Sequence, residues 1–189
     1  IFATFFFIYA LFMHGAGMPG ESMYALVSSI LDSNTLSIDD YANITSDRAL
    51  FEGKYYSDKE PGMPLLSLAP YAISRIVTLN APFEGTNTTY VTSLVFNNVE
   101  IQRIENPQPS YLVHLMVLSL LVPVLLNSLA PVIMYKTSSL FFSRNMSIFL
   151  SFVFGIASLG FPYAIAFFPY GVSTFLVFLS FYLIEKSRH

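Results

Sequence analysis

Apolar residues run unbroken from Ile1 to Met13 (IFATFFFIYALFM), thin out through Pro109, and return as long blocks from Ser110 to Ile184. At 1.5 Å per residue the first run covers only about 20 Å, short of a hydrocarbon core of about 30 Å. No basic residues precede it, and Gly15-Ala-Gly17 is its only small-x-small triplet. It therefore reads as a truncated first transmembrane span (1–13) rather than as a signal-peptide core. Ser110–Tyr135 (SYLVHLMVLSLLVPVLLNSLAPVIMY) is long enough to cross a bilayer, and its two prolines are tolerated there. The block from Ile148 to Ile184 is too long for one crossing. Pro162, Pro169 and Gly171 divide it into spans at 148–166 and 170–185, joined by a tight aromatic turn.

Between the first two spans lies a long segment, 14–109, too large to be a connector. Within 20–32 (GESMYALVSSILD) apolar residues fall at 23, 26, 27, 30 and 31, the repeat of an amphipathic helix lying at the membrane interface. A second interfacial helix is predicted over 65–79, after the Pro61-Gly-Met-Pro64 start signal. Two β-branched runs around Asn97-Asn98 predict a small hairpin over 90–104.

Charge sets the orientation. Lys136 and Arg144 bracket the 136–147 loop and Lys186 and Arg188 follow the last span, which makes that side cytoplasmic by the positive-inside rule. Segment 14–109 then lies outside, and its eleven acidic residues against five Lys or Arg suit a translocated loop. Only 11% of residues are charged and 54% are hydrophobic, too little charge to cover a water-exposed surface. The expectation is an all-α integral membrane protein of the cell (plasma) membrane, multi-pass, with the lipid bilayer as its first partner. A net charge of −3 argues against nucleic acid, and the lack of cysteine excludes thiolate metal sites. Both ends fall in or beside apolar runs, so the chain reads as the N-terminal part of a longer protein, inactive by itself.

Two groups of residues carry candidate chemistry. Glu21 opens the 20–32 helix: it is either a first-turn acid favoured by the helix dipole, or a carboxylate placed for general-base or metal-binding work. The stretch Gly53-Lys-Tyr-Tyr-Ser-Asp-Lys-Glu-Pro-Gly-Met-Pro64 packs aromatics, lysines and acids just before a helix start, where an ammonium and free N–H groups suit a phosphate. The plainer alternative is a solvated loop whose charges cancel. His14 and His114 show no metal-ligand spacing and are read as interface or packing residues. Asn127 is expected to bond to a neighbouring helix. Asn43-Ile-Thr45 and Asn87-Thr-Thr89 fit the glycosylation acceptor pattern.

Three stretches, in order, resemble polytopic glycosyltransferases of the GT-C fold, of the mannosyltransferase type that uses polyprenyl-phosphate sugars. They are Gly20-Glu-Ser-Met-Tyr24 with the helix after it, Tyr55-Tyr-Ser-Asp-Lys-Glu-Pro-Gly-Met-Pro-Leu-Leu-Ser-Leu-Ala-Pro70, and Ala157-Ser-Leu-Gly-Phe-Pro-Tyr-Ala-Ile-Ala-Phe-Phe168. The second is similar to a YYSxKPPGxxLLxxP loop and is the most distinctive. Glu21 stands where such enzymes usually have Asp, Glu60 where they often have Pro, and Pro169-Tyr170 where they have Gly-His.

The resemblance implies a multi-span bundle of GT-C type whose large extracytoplasmic first loop holds the interfacial helices and the small hairpin. It implies transfer of a sugar from a polyprenyl-phosphate donor to an acceptor of unknown kind at the outer face. Glu21 would be catalytic, Lys59 would meet the lipid phosphate, and Tyr55, Tyr56 and Asp58 would help bind substrate. No cofactor is expected. A divalent metal belongs only to an oligosaccharyltransferase-like alternative, for which Glu84, Glu100 and Glu105 form no convincing pattern. A polytopic transporter or a non-catalytic membrane assembly protein is the other alternative, with Asn127 and the helix prolines as its support.

Overall fold

The computed structural model describes residues 1–14, 18–78, 89–96, 99–105 and 109–188, the two strands at 89–105 by their backbone alone. The chain is mostly helical and includes one helix, Ser110–Ser138, long and apolar enough to cross a membrane. It divides into two compact units, Ile1–Gly15 with Ser119–His189, and Ala16–Leu118.

In the first unit α1 (Phe2–Phe12), α7 (Arg144–Ile156) and α9 (Pro169–Arg188) pack on α6 (Leu125–Ser138), with a short α8 (Gly160–Ala164) before α9. Phe5 and Tyr9 of α1 are fully buried against Val124, Ala164 and Ile165. The Tyr9 hydroxyl donates to the Gly155 carbonyl at 2.9 Å. Gly155 has no room for a side chain because the Phe5 ring lies over it. Polarity in α7 is turned inside out. Ser147, Ser151 and Gly155 face inward at four-residue spacing, while Met146, Phe149, Val153 and Ile156 face outward. Small residues let helices approach closely, and apolar outer faces suit lipid rather than water.

Where the long helix holds proline it adapts. Upstream of α6 the chain forms α5 (Pro109–Ser119), and between them Leu120–Val124 widens into a π turn around Pro123. The ring cannot donate to the carbonyl four residues back and would clash with it, and a wider turn relieves both. Pro131 leaves α6 helical. Its own carbonyl accepts the Ser151 hydroxyl at 2.7 Å. Asn127 does not bond to a neighbouring helix as expected; its amide nitrogen donates to Pro123 O of its own helix at 2.8 Å.

The predicted crossing at 148–166 is interrupted. Its helix ends at Ile156, and the Ser158 hydroxyl turns back to the Phe154 carbonyl at 2.5 Å while accepting the Gly160 N–H at 3.0 Å. Pro162 then sits in the first turn of α8, where a missing N–H costs nothing. The turn before α9 is therefore a short helix plus a bend, and Pro169 opens α9.

In the second unit α2 (Met18–Asp32) occupies the predicted 20–32 position but is no one-faced surface helix. Residues 22–29 are buried on every side. Its would-be polar face is Ser22, Ala25, Ser28 and Ser29, small enough for neighbours to close over. Residues 53–64 are not a plain loop either. β1 (Arg48–Phe51) and β2 (Lys54–Ser57) pair antiparallel, with Arg48 opposite Ser57 and Phe51 opposite Lys54. Glu52 and Gly53 both take positive φ (49° and 77°), the mirror-image turn that matches strand twist.

The expected helix at 65–79 is two: α3 (Gly62–Leu66) and α4 (Leu68–Val77), with Pro70 in the first turn of α4. Like α7, α4 is inverted. Ser67, Pro70, Tyr71 and Ser74 are buried, and the outward row is Ala69, Ala72, Ile73, Ile76 and Val77. β3 (Thr89–Phe96) and β4 (Val99–Glu105) pair antiparallel where the 90–104 hairpin is predicted. The chain is thus helical with two hairpins rather than all-α.

Candidate functional site

The two ends of α2 hold the polar architecture of the second unit. Glu21 lies in its first turn, half-buried. The next residue, Ser22, shares a 2.8 Å hydrogen bond with Ser57 at the end of β2. Ser57 Oγ also accepts the Lys59 N–H at 3.3 Å, so one serine ties the helix start to the loop that carries Lys59. The Lys59 ammonium pairs with Asp47 at 3.0 Å and with Asp58 at 3.1 Å. Asp47 in turn lies near enough to Glu21 for its charge to act on it.

Burial pushes the Glu21 carboxyl up to about 7, and the Asp47 charge adds to the rise. Among the described residues Glu21 has no hydrogen-bond or cation partner. Lys59 is held above its usual range: partial burial works against the charge and is outweighed by the two carboxylates. Glu21 and Lys59 are thereby brought into one group through Asp47, a residue the sequence did not single out. The group is net negative even with Glu21 protonated, so it takes up a proton readily and admits an anion at Lys59 only where that anion displaces one of the two acids.

The two tyrosines do not share a surface. Adjacent residues on a strand point to opposite faces, and here Tyr55 lies under the Arg48 guanidinium at 4.3 Å while Tyr56 meets Phe51. The two tyrosines that the resemblance assigns to substrate therefore do not offer one shared face. The Tyr55 N–H donates to Asp39 at 2.7 Å, and its carbonyl accepts the Ile38 N–H at 2.8 Å. Ser37 and this N–H together hold the Asp39 carboxyl below its usual range. Asp58 pairs with Lys59 and is the more exposed of its two acids, 37% against 30% for Asp47.

At the other end of α2, Asp32 is fully engaged. One oxygen accepts the Tyr41 hydroxyl at 2.8 Å and the Tyr71 hydroxyl at 2.7 Å, and the other meets Arg75. Burial first, then the bond to Asp32, raises the Tyr71 hydroxyl to about 12. His114 is a packed, satisfied histidine. Its Nδ1 bonds the Tyr24 hydroxyl at 2.9 Å and its Nε2 meets Thr78 at 3.0 Å, with no solvent exposure. The signal for this network was thin: polar residues at 71, 74, 75 and 78 share a face, opposite the apolar row.

Among the described residues no three His, Asp or Glu side chains are placed to hold a metal ion. Glu84 and Asn87 lie outside the described residues, as do the side chains of Glu100 and Glu105. No family model, curated protein or solved structure matches the chain.

Proposed function

We propose that the chain belongs to a multi-span membrane glycosyltransferase that moves a sugar from a polyprenyl-phosphate donor to an acceptor at the extracytoplasmic face. The observation that carries this reading is Glu21, a half-buried carboxylate without a cation, titrating near 7 beside Asp47. A base with that affinity for protons is matched to neutral pH. The inverted faces of α4 and α7 and the apolar Ser110–Ser138 helix support a bilayer setting. The basic residues at 136, 144, 186 and 188 support an outward-facing second unit.

In the proposed step an acceptor O–H or N–H attacks the anomeric carbon. Its proton passes to Glu21, a bond from the acceptor to that carbon forms, and the carbon–oxygen bond to the phosphate breaks. The electron pair leaves with the phosphate. Lys59 meets that growing charge, the phosphate taking the place of the more exposed Asp58 on the ammonium. Asp47 stays on Lys59 and keeps Glu21 basic.

The test measures sugar transfer in membranes carrying the protein. Glu21→Gln and Lys59→Ala are each expected to reduce transfer by about 100-fold or more, with membrane insertion intact. Unchanged transfer in both variants would remove the assignment.

A further inference from the structure

A second place in the molecule is shaped for a ligand, and it lies wholly within the first unit. Between the end of α7, α8 and the start of α9 is an open cleft of about 470 Å³, within the range of small-ligand sites. Its walls are Phe154, Ser158, Leu159, Tyr163, Tyr170 and Thr174, with no charged side chain. The rings of Tyr163 and Tyr170 stand 5.2 Å apart at 73°, forming a corner of flat apolar faces.

Two hydroxyls of the cleft wall have their hydrogens already placed. Ser158 gives its hydrogen to Phe154 O, and Thr174 gives its hydrogen to Tyr170 O at 2.8 Å. In the crevice beneath, Asn127 gives one of its two amide hydrogens to Pro123 O. What Ser158 and Thr174 present beyond those bonds is oxygen, while Asn127 keeps an oxygen and a second N–H. The Asn127 side chain is the deepest of the three. It is only 5% exposed, and its Oδ1 has no partner among the described residues. It lines a crevice of about 10 Å³, room for roughly one water, whose other walls include Phe154, Gly160 and Thr174 of the open cleft. Gly171 keeps that crevice open, since a methyl group there would fall 2.5 Å from the Asn127 amide.

A ligand for this cleft must be uncharged, must offer flat apolar surface to aromatic rings, and must donate hydrogen bonds inward. A pyranose ring has all three: C–H faces, hydroxyl donors at its edge and no formal charge. An isoprenoid chain meets the first two and gives the Thr174 oxygen no donor. We infer that the α7–α8–α9 cleft is a binding subsite for a neutral sugar ring, with Thr174 accepting one of its hydroxyls and Tyr170 covering a face. The inference rests on the glycosyl-transfer proposal for the source of that ring, and on the cleft alone for its chemistry.

Saturation-transfer NMR on the protein in lipid nanodiscs tests it, with methyl α-D-mannopyranoside as probe and geraniol as isoprenoid competitor. The ring protons of the pyranoside should receive saturation, and geraniol should not displace it. Thr174→Val keeps the side-chain shape but removes the acceptor, and should weaken binding about tenfold. Tyr170→Ala, at an outward position, should do the same without touching the interior. Absence of transfer to the pyranoside, equal binding in both variants, or displacement by geraniol would each overturn the subsite. Glu21→Gln should leave pyranoside binding unchanged. A Glu21→Gln protein that still transfers sugar would defeat the catalytic proposal while leaving a positive cleft result standing.

Discussion

The two ends of α2 carry carboxylates of opposite character. Asp32 accepts two tyrosine hydroxyls and an arginine, so its charge is used up holding α2, α4 and the turn around Tyr41 together. Glu21, eleven residues earlier on the same helix, is half-buried and faces a like charge instead of a cation. Folding alone would favour the first arrangement at both ends. An unpaired acid kept close to another acid costs stability, and such costs collect where a protein needs a proton to move. The difference between a structural and a chemical carboxylate is therefore visible in their partners rather than in their sequence neighbours.

The sharpest way to break this contrast is through pH. If Glu21 works as a base with its carboxyl near 7, transfer should fall about tenfold for each unit below that value, an acid limb that an ordinary carboxylate would place near 4.5. Stability should run the other way. The folded chain holds a proton on Glu21 up to about 7 that the unfolded chain releases near 4.5, so the stability that Glu21 contributes is fully present below 4.5 and is lost as pH rises through 7. Glu21→Gln should flatten that fall in thermal unfolding between pH 4 and pH 8, a span chosen to bracket about 4.5 to 7. A fall that persists in the Gln variant would place the titration elsewhere.

At the other end of the helix the expected loss is in stability. Asp32→Asn weakens three charge-assisted bonds and should cost about 2–3 kcal/mol, read as a lower midpoint in detergent-solubilised protein. A midpoint within error of the parent would mean that Asp32 is not the structural member of the pair. The smallest effect is at Asp58. Asp58→Asn frees Lys59 from one of its two acids and should lower the donor KM by at most about fivefold, since such exposed pairs are weak. A higher KM would show that Asp58 aids the donor rather than competing with it.

Much of the architecture was legible from local pattern. The Ser110–Ser138 helix follows from the length of an apolar run, and the Thr89–Glu105 hairpin from β-branched residues on both sides of Asn97-Asn98. The β1–β2 hairpin was equally local, two short runs around Glu52-Gly53, but its second strand lies inside the charge-rich stretch 53–64 that reads as a binding loop. The break after Ile156 was harder, because it depends on the Ser158 hydroxyl turning back on its helix, with no proline to announce it. Asp47 could not be found at all from spacing. Its importance comes from Lys59 and Glu21, which reach it only once the β1–β2 hairpin and α2 are folded. Side-chain roles that depend on long-range closure leave no periodic trace.

The inverted faces of α4 and α7 also reverse the usual map of mutational tolerance. In a protein surrounded by water, outward positions accept charge and inward ones resist change. In the membrane setting proposed for this chain, a lysine at Ile76 or Phe149 would have to be carried into oil, whereas trimming a buried serine such as Ser147 leaves only a small gap. Attempts to make the protein easier to handle by decorating its outside would therefore start from the least forgiving positions it has.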